Sequence, residues 1–275
     1  MTGFELQVAL HWIAVAFYLP AAAVLASGAI FGGPRRVAWG RWLAAAGLVP
    51  HGAALVLRWR AVGHGPYMMK YEVLSSNAWI AVAALAFVLW RRRDLAWLSL
   101  VVMPAAVLLV AVALFSSPEA RDLPPTLRSM WLVFHVLFAK ISAAGFLLSV
   151  TSSALLLLKG RAGALAWLGR VPPAEALDAY AVRFIGFGFV FWSATVAAGA
   201  IWANESWGRY WAWDAVETWS LVTWLAYATV LHVRLFFRPS ETTTAWLSIG
   251  AFAVFVLTAL VLPYAIPSLH AAYMQ

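Results

Sequence analysis

Apolar residues along the chain fall into runs of about 20, separated by short polar stretches that carry most of the charges. An α-helix needs a run of about that length to cross a hydrocarbon core about 30 Å thick. The period-two alternation of membrane β-strands is absent from these runs. The pattern predicts an all-α, polytopic integral membrane bundle of about eight transmembrane helices, roughly at 5–31, 38–57, 75–90, 95–115, 130–158, 184–203, 215–235 and 244–264.

The composition agrees with a membrane protein. Of the 275 residues 64% are hydrophobic and only 11% are charged, too few charges to cover the surface of a soluble domain. The connecting segments are short, so we expect a single membrane domain over 1–275. We expect no cleavable signal, because Met1–Glu5 has no basic residue and the apolar run after it is too long. Cysteine is absent, which excludes a disulfide framework and a thiolate metal site.

The positive charges are distributed as topology signals. The net charge is +8, but the basic residues are scattered at the ends of apolar runs, so we expect no nucleic-acid partner. One set of alternate loops holds twelve basic residues, among them Arg91–Arg93, and the other set holds six. Because the richer side is expected to be cytoplasmic, both termini are predicted on the outer, periplasmic side of a multi-pass protein of the inner (plasma) membrane.

Aromatic residues are concentrated between the sixth and seventh spans. Five Trp and one Tyr fall within the 18 residues of 202–219. An aromatic belt at the membrane interface accounts for one or two Trp, but not for five interleaved with Gly, Arg and Asp. Such a surface suits a large, flat, apolar ligand with a carboxylate that Arg209 would contact. We therefore expect 204–219 to be an external ligand-binding loop with the start of the next helix, its site residues being Trp207, Gly208, Arg209, Tyr210, Trp211, Trp213, Asp214 and Trp219.

Two acidic residues of this segment have a structural interpretation as well. Asp214 and Glu217 form the Asp-x-x-Glu pattern of a capping box directly before an apolar run. We expect Asp214 mainly to fix the joint between loop and helix, with Glu217 reaching back toward the cap.

Histidines supply the second chemical signal, because neutral imidazole is the usual protein ligand of heme iron. On the predicted topology His135 lies about one turn inside the outer end of the fifth span, and His270 lies just beyond the outer end of the eighth. Both are then level with the Trp-rich loop. The two histidines would form a bis-imidazole heme site.

The other histidines are open to more than one interpretation. His232 lies 18 residues beyond Asp214, about 27 Å along a helix, so it is either interfacial or a ligand of a second, inner heme site. His51 is a ligand or a donor to a carbonyl freed by Pro50. Lys140 would snorkel to the interface or pair with an acidic group of the ligand. His11 is either a packed bundle histidine or functional, and His64 is expected to be solvated in a turn.

These residues resemble a known family. Trp207-Gly-Arg-Tyr-Trp-Ala-Trp-Asp214 with Glu217-Thr-Trp219 is similar to the tryptophan-rich (WWD) signature of the heme-handling proteins of cytochrome c maturation, in the CcsA type, also called ResC. The resemblance covers most of the chain. The family's external histidine motifs are matched by Trp131-Leu-Val-Phe-His135 and Ser268-Leu-His270. The family's transmembrane histidine is matched by Leu231-His232-Val-Arg234, and a further matching segment runs from Gly65-Pro66 through Tyr71-Glu72 to Trp79.

The resemblance implies a holocytochrome c synthase, or cytochrome c heme lyase, component that works with a CcsB/ResB-type membrane partner. Heme would arrive from the inner side, be held between His135 and His270, and be joined by thioether bonds to the Cys-x-x-Cys-His of an apocytochrome c. No covalent catalysis by this chain is expected, since proximity does much of the work. Two alternatives stay open: CcmC-like delivery of heme to a chaperone without ligation, and an electron-transfer subunit with bis-histidine heme.

Overall fold

A computed structural model describes residues 3–116, 122–161, 165–266 and 268, and these residues contain no β-strand. The secondary structure consists of eight long helices and one short terminal piece. They are α1 Gly3–Phe31, α2 Pro34–Val62, α3 Lys70–Arg91, α4 Ser99–Leu114, α5 Met130–Lys159, α6 Ala174–Trp207, α7 Ala215–His232, α8 Glu241–Val256 and α9 Leu262–Ala265. A 3₁₀ segment precedes α4, and π-helical turns extend α7 and α8. The all-α, polytopic prediction is confirmed.

Seven of the long helical segments are long and apolar enough to span a membrane, counting the 3₁₀ and π turns with the helices they extend. The exception is α2, which contains five arginines. The observed helices begin and end within a few residues of the predicted spans, apart from α6. That helix starts at Ala174 rather than 184, because its first turns are polar and a hydropathy pattern does not count them.

The described helices form two compact units. The first contains the described parts of 1–122 and 162–172, and the second contains those of 123–161 and 173–275. The first unit therefore has α1 to α4, and the second has α5 to α9.

A buried chain of hydrogen bonds lies inside the first unit. The Nδ1 of His11 donates to the Gln7 carbonyl (2.8 Å), so its Nε2 accepts from the Ser75 hydroxyl (2.7 Å). Ser75 in turn accepts from Nε2 of His51 (3.0 Å), and Nδ1 of His51 accepts from the Tyr18 hydroxyl (3.1 Å). Both histidines are completely buried. His11 is thus a packed bundle histidine, and the hydrogen bonds found for His51 go to Tyr18 and Ser75 rather than to a carbonyl freed by Pro50.

An ion pair closes the turn between α2 and α3. Arg58 donates to Glu72 at 2.8 Å, and the second oxygen of Glu72 accepts from the amides of Met68 and Met69. His64 is 3% exposed and 3.9 Å from the same carboxylate. The expectation that His64 is solvated is wrong, because this turn folds inward around the buried carboxylate.

Close contact between α5 and α6 sets the geometry of the second unit. A Cβ on Gly188 would lie 2.6 Å from the ring of Phe146, and one on Gly145 would lie 3.1 Å from Gly188. The Ser142 hydroxyl donates to the Gly188 carbonyl at 2.8 Å. The Phe146 ring in turn stacks on Tyr227 of α7 with 3.6 Å between centroids. Small residues therefore let α5 and α6 approach closely, and this contact fixes the position of one helix relative to the other.

Candidate functional site

His135 is held by a carbonyl group of the neighbouring helix. It lies in the second turn of α5, half-buried, and its Nδ1 is 2.9 Å from the Thr195 carbonyl oxygen on α6. A carbonyl oxygen can only accept, so Nδ1 carries the proton and Nε2 carries the lone pair. Histidines that bind metals usually have this arrangement, in which the second nitrogen is oriented by a backbone carbonyl. The position suits His135 to act as an axial ligand through Nε2.

The space for the His135 ring is made by a glycine. A Cβ on Gly199, one turn after Thr195, would lie 2.6 Å from His135 Nδ1. The ring also lies beside the indole of Trp202, with centroids 6.1 Å apart and planes inclined by 31°. Trp202 itself is buried, and its indole N–H donates to the Thr126 carbonyl at 2.8 Å. A glycine and an anchored tryptophan therefore fix the imidazole from two sides.

The aromatic array continues from Trp202 to the end of α6. Trp202 and Trp207 meet edge to face, with centroids 4.9 Å apart. Gly208 then ends the helix in the left-handed region (φ 72°), where its N–H donates to the Asn204 carbonyl. Glycine reaches this conformation without steric cost, which explains its place after the tryptophan. The left-handed glycine therefore ends α6 directly after Trp207.

The loop after Gly208 presents part of its aromatic surface outward. Tyr210 is 60% exposed and Trp213 is 71% exposed, and Trp213 has a positive φ of 57°. Trp211 and Trp213 meet edge to face at 5.9 Å, while the indole nitrogen of Trp211 is buried without a hydrogen-bond partner among the described residues. Arg209 is exposed, and Trp219 is half-buried in the first turns of α7. Exposed rings, a cation and an unused N–H donor together suit a flat ligand that has acidic substituents.

The joint between the loop and α7 is a capping box. Asp214 accepts from the Val216 amide at 3.2 Å. Glu217 accepts from the amides of Ala212 (2.7 Å) and Asp214 (3.4 Å) and is 9% exposed. The predicted structural role of both acidic residues is confirmed. Glu217 does more than predicted, because its bond to Ala212 fixes the backbone between Trp211 and Trp213.

The remaining predicted residues are not all brought to this end of the second unit. His232 lies exposed at the last residue of α7, against Phe236 with 4.6 Å between ring centroids. Nearby, Arg234 pairs with Asp178 of the first turns of α6 at 2.7 Å, so His232 belongs to the opposite end of this unit. His270 lies outside the described residues.

Two lower-ranked candidates have distinct surroundings. Lys140 follows His135 by five residues on α5 and is 7% exposed, so it does not snorkel to the interface, and its pairing with an acidic group of the ligand stays a prediction. His51 belongs to the first unit, where both of its ring nitrogens take part in the hydrogen-bond chain to Tyr18 and Ser75.

Sequence reasoning missed the support around His135. Thr195 contributes only its carbonyl, which no side-chain motif can reveal. The signal for close approach was nonetheless present in the small residues Ala197-Ala-Gly199-Ala200, which are typical of tight helix contacts in membranes. The sequence identifies Trp202 only as one of five tryptophans in the segment. Its hydrogen bond to Thr126 shows that it also supports the His135 ring.

Comparisons with known proteins show which family the chain belongs to. The family described as "Cytochrome C assembly protein" matches residues 67–270. The cytochrome c biogenesis protein CcsA of Chlamydomonas reinhardtii is 39% identical over 194 residues, which cover 66% of this chain and 53% of that protein. The CcsA of Parasynechococcus marenigrum is 36% identical over 214 residues, covering 66% of this chain and 68% of that protein. The chain thus spans about half the length of the algal relative.

A solved structure shares the fold. A cytochrome c heme lyase CcmF superimposes with a TM-score of 0.72 over 95% of this chain and 47% of that chain, at 16% sequence identity. Such low identity supports the fold alone. The family match covers most of the chain and includes the Trp-rich segment and His135. On these grounds the chain belongs to the cytochrome c assembly protein family, among its CcsA-type members.

Proposed function

We propose that this chain acts in cytochrome c maturation by holding heme b, as a substrate, at the end of the second unit where α5 and α6 meet the Trp-rich loop. The observation that carries the proposal is the Nδ1–H bond of His135 to the Thr195 carbonyl, which leaves Nε2 as the coordinating nitrogen. The adjacent indoles of Trp202 and Trp207 supply an apolar wall.

Further contacts with heme come from the loop. His270 is proposed as the second axial ligand, consistent with its place in the sequence beyond the eighth span. Arg209 contacts a propionate through its guanidinium fork, and the unused indole N–H of Trp211 donates to the same edge. Tyr210 and Trp213, the most exposed rings of the loop, cover the porphyrin face or meet the incoming protein.

The chain contributes positioning rather than covalent chemistry to the reaction. Each thiol of the apocytochrome Cys-x-x-Cys-His adds across one heme vinyl group, its sulfur bonding to one carbon and its hydrogen going to the other. No atom is lost and no net oxidation occurs. Fixing heme through two axial ligands holds both vinyl groups in reach of the thiols, which is how proximity lowers the barrier. We assign the chain as the heme lyase component that works with a CcsB/ResB-type partner in the bilayer.

The proposed orientation puts this end of the second unit on the periplasmic side of the plasma membrane. It rests on the surplus of basic residues in the opposite set of loops. His232 then lies toward the cytoplasm, about 27 Å from Asp214 along α7, and belongs to an inner heme site that precedes the outer one.

The test is a heme spectrum of the chain purified with its co-expressed CcsB-type partner. We expect reduced heme bands and a pyridine hemochrome of heme b, both diminished in His135→Gly and restored by added imidazole, which replaces the missing ring. Phe134→Ala, the neighbouring exposed position on α5, is the matched control and keeps its heme. His232→Ala reports separately on the inner site.

Two results would contradict the proposal. Wild-type protein without heme, from cells that have heme available, would exclude heme handling. Heme binding that survives His135→Gly unchanged would exclude the outer ligand. If heme is bound but passes to a chaperone and no thioether product forms with apocytochrome c, the delivery alternative replaces the lyase assignment.

A further inference from the structure

An arginine without an anionic partner lies in the first unit, remote in sequence from the Trp-rich loop. Arg41 is in the second turn of α2 and is only 5% exposed. Its guanidinium carbon lies 4.5 Å from the ring centre of Trp90 and 5.8 Å from that of Trp42. Its Nε is buried without a hydrogen-bond partner, and among the described residues no carboxylate pairs with it. The buried Nε–H donor thus has no acceptor, and the two rings only partly offset the charge.

Indole rings do not satisfy this group. A ring face attracts the cation electrostatically but offers no lone pair to an N–H donor. A buried charge is normally paired or hydrogen-bonded, so Arg41 is the kind of group that an external anion completes. A guanidinium matches the geometry of a phosphate or carboxylate through two parallel hydrogen bonds.

The surroundings leave no acidic residue to fill that role. The start of α2 adds Arg35 and Arg36, and the end of α3 adds Arg91. Within 31–42 and 87–98 the only acidic residue is Asp94. Its two oxygens already accept from Arg92 at 2.7 and 3.0 Å. This end of the unit therefore attracts anions and repels the cationic part of a zwitterionic headgroup.

The aromatic residues around Arg41 are those of a membrane interface. Trp42 and Trp90 meet edge to face at 5.0 Å, and each is about half exposed. Trp39 and Phe87 beside them are also exposed. Arg41 lies about 10 Å from the start of α2 at 1.5 Å per residue, so it is near that end of the helix. Trp side chains concentrate at membrane interfaces.

We propose that Arg41, Trp42 and Trp90 form a binding site for the phosphate of an anionic phospholipid. The guanidinium fork binds the phosphate oxygens, the two indoles flank the glycerol region, and the neighbouring arginines select a headgroup with net negative charge. The site does not depend on the proposed heme function, and it is tested without heme.

The experiment uses the full chain in a neutral detergent and measures its melting temperature and the lipid retained in native mass spectra. The probes are phosphatidylglycerol, phosphatidylcholine and inorganic phosphate. We expect phosphatidylglycerol to raise the melting temperature of the wild type and of the control Arg60→Gln, an exposed arginine at the other end of α2. In Arg41→Gln its apparent affinity falls about tenfold, the loss of one charge-assisted hydrogen-bonded contact.

Each alternative result overturns a named part of the proposal. If phosphatidylcholine raises the melting temperature as much as phosphatidylglycerol does, the site does not select an anionic lipid. If inorganic phosphate raises it equally, the ligand is a free phosphate and not a lipid. An undiminished response to phosphatidylglycerol in Arg41→Gln would exclude Arg41 as the binding group. If Arg41→Gln does not fold, Trp90→Leu takes its place and is expected to weaken the same response.

Discussion

At the scale of single residues, the site depends on where one proton lies. The Thr195 carbonyl keeps the proton of His135 on Nδ1, and Gly199 leaves the room that this bond requires. Neither residue would touch a ligand, yet together they determine which nitrogen faces it.

Gly199→Ala tests this arrangement. The new methyl group would lie 2.6 Å from His135 Nδ1, so the ring must leave the Thr195 carbonyl. We expect heme affinity to fall about 10- to 100-fold, the usual cost of losing a partner that orients a metal ligand. Gly186→Ala on the same helix is the matched control, since nothing lies within 4 Å of its added Cβ. Unchanged heme retention in Gly199→Ala would disprove the orienting role.

The cap at Asp214 gives a second test at this scale. Asp214→Ala removes the acceptor for the Val216 amide and is expected to cost about 0.5–2 kcal/mol, whereas Asp214→Asn keeps a good N-cap. Hydrogen exchange at the start of α7 should therefore accelerate in the alanine variant alone. If the asparagine variant keeps that protection but loses heme, the carboxylate contacts the ligand or its partner and is more than a cap.

At the scale of helices, the contact between α5 and α6 carries the site. Gly188→Ala would place a methyl group 2.6 Å from the Phe146 ring, which cannot retreat because it stacks on Tyr227. We expect a loss of about 1–3 kcal/mol in stability, the common cost of overpacking, visible as a lower melting temperature in detergent. Gly186→Ala again provides the control. Equal melting temperatures for the two variants would mean that α5 and α6 can move apart at Gly188 without a loss of stability.

The helices themselves were predictable from sequence, but their contacts were not. Hydropathy locates apolar runs, so seven of the eight predicted spans agree closely with the helices found; α6 is longer because its polar first turns, from Ala174, lie outside the apolar run. The capping box was predictable because it is local, with Asp214 and Glu217 three residues apart. The bond from His135 to Thr195 spans 60 residues and uses a backbone atom, so no local pattern encodes it.

At the scale of the whole molecule, the absence of cysteine makes the topology directly testable. Tyr210→Cys in the Trp-rich loop and Thr242→Cys at the start of α8 each introduce a single thiol at an exposed position. We expect a membrane-impermeant maleimide to label Tyr210→Cys in intact cells, and Thr242→Cys only after permeabilisation, because the proposed orientation has the basic loops inside. The cysteine-free wild type gives the background. Labelling in the reverse order would invert the proposed orientation.

The length of α6 has a consequence for the lipid environment. Its 34 residues extend about 51 Å, some 20 Å more than the hydrocarbon core of an average bilayer. A helix of that length must tilt or project, and the balance shifts with acyl-chain length. Trp202 and Trp207, at its last turns, therefore rise or sink as membrane thickness changes. The thickness of the bilayer therefore determines how far the aromatic end of α6 is exposed to water.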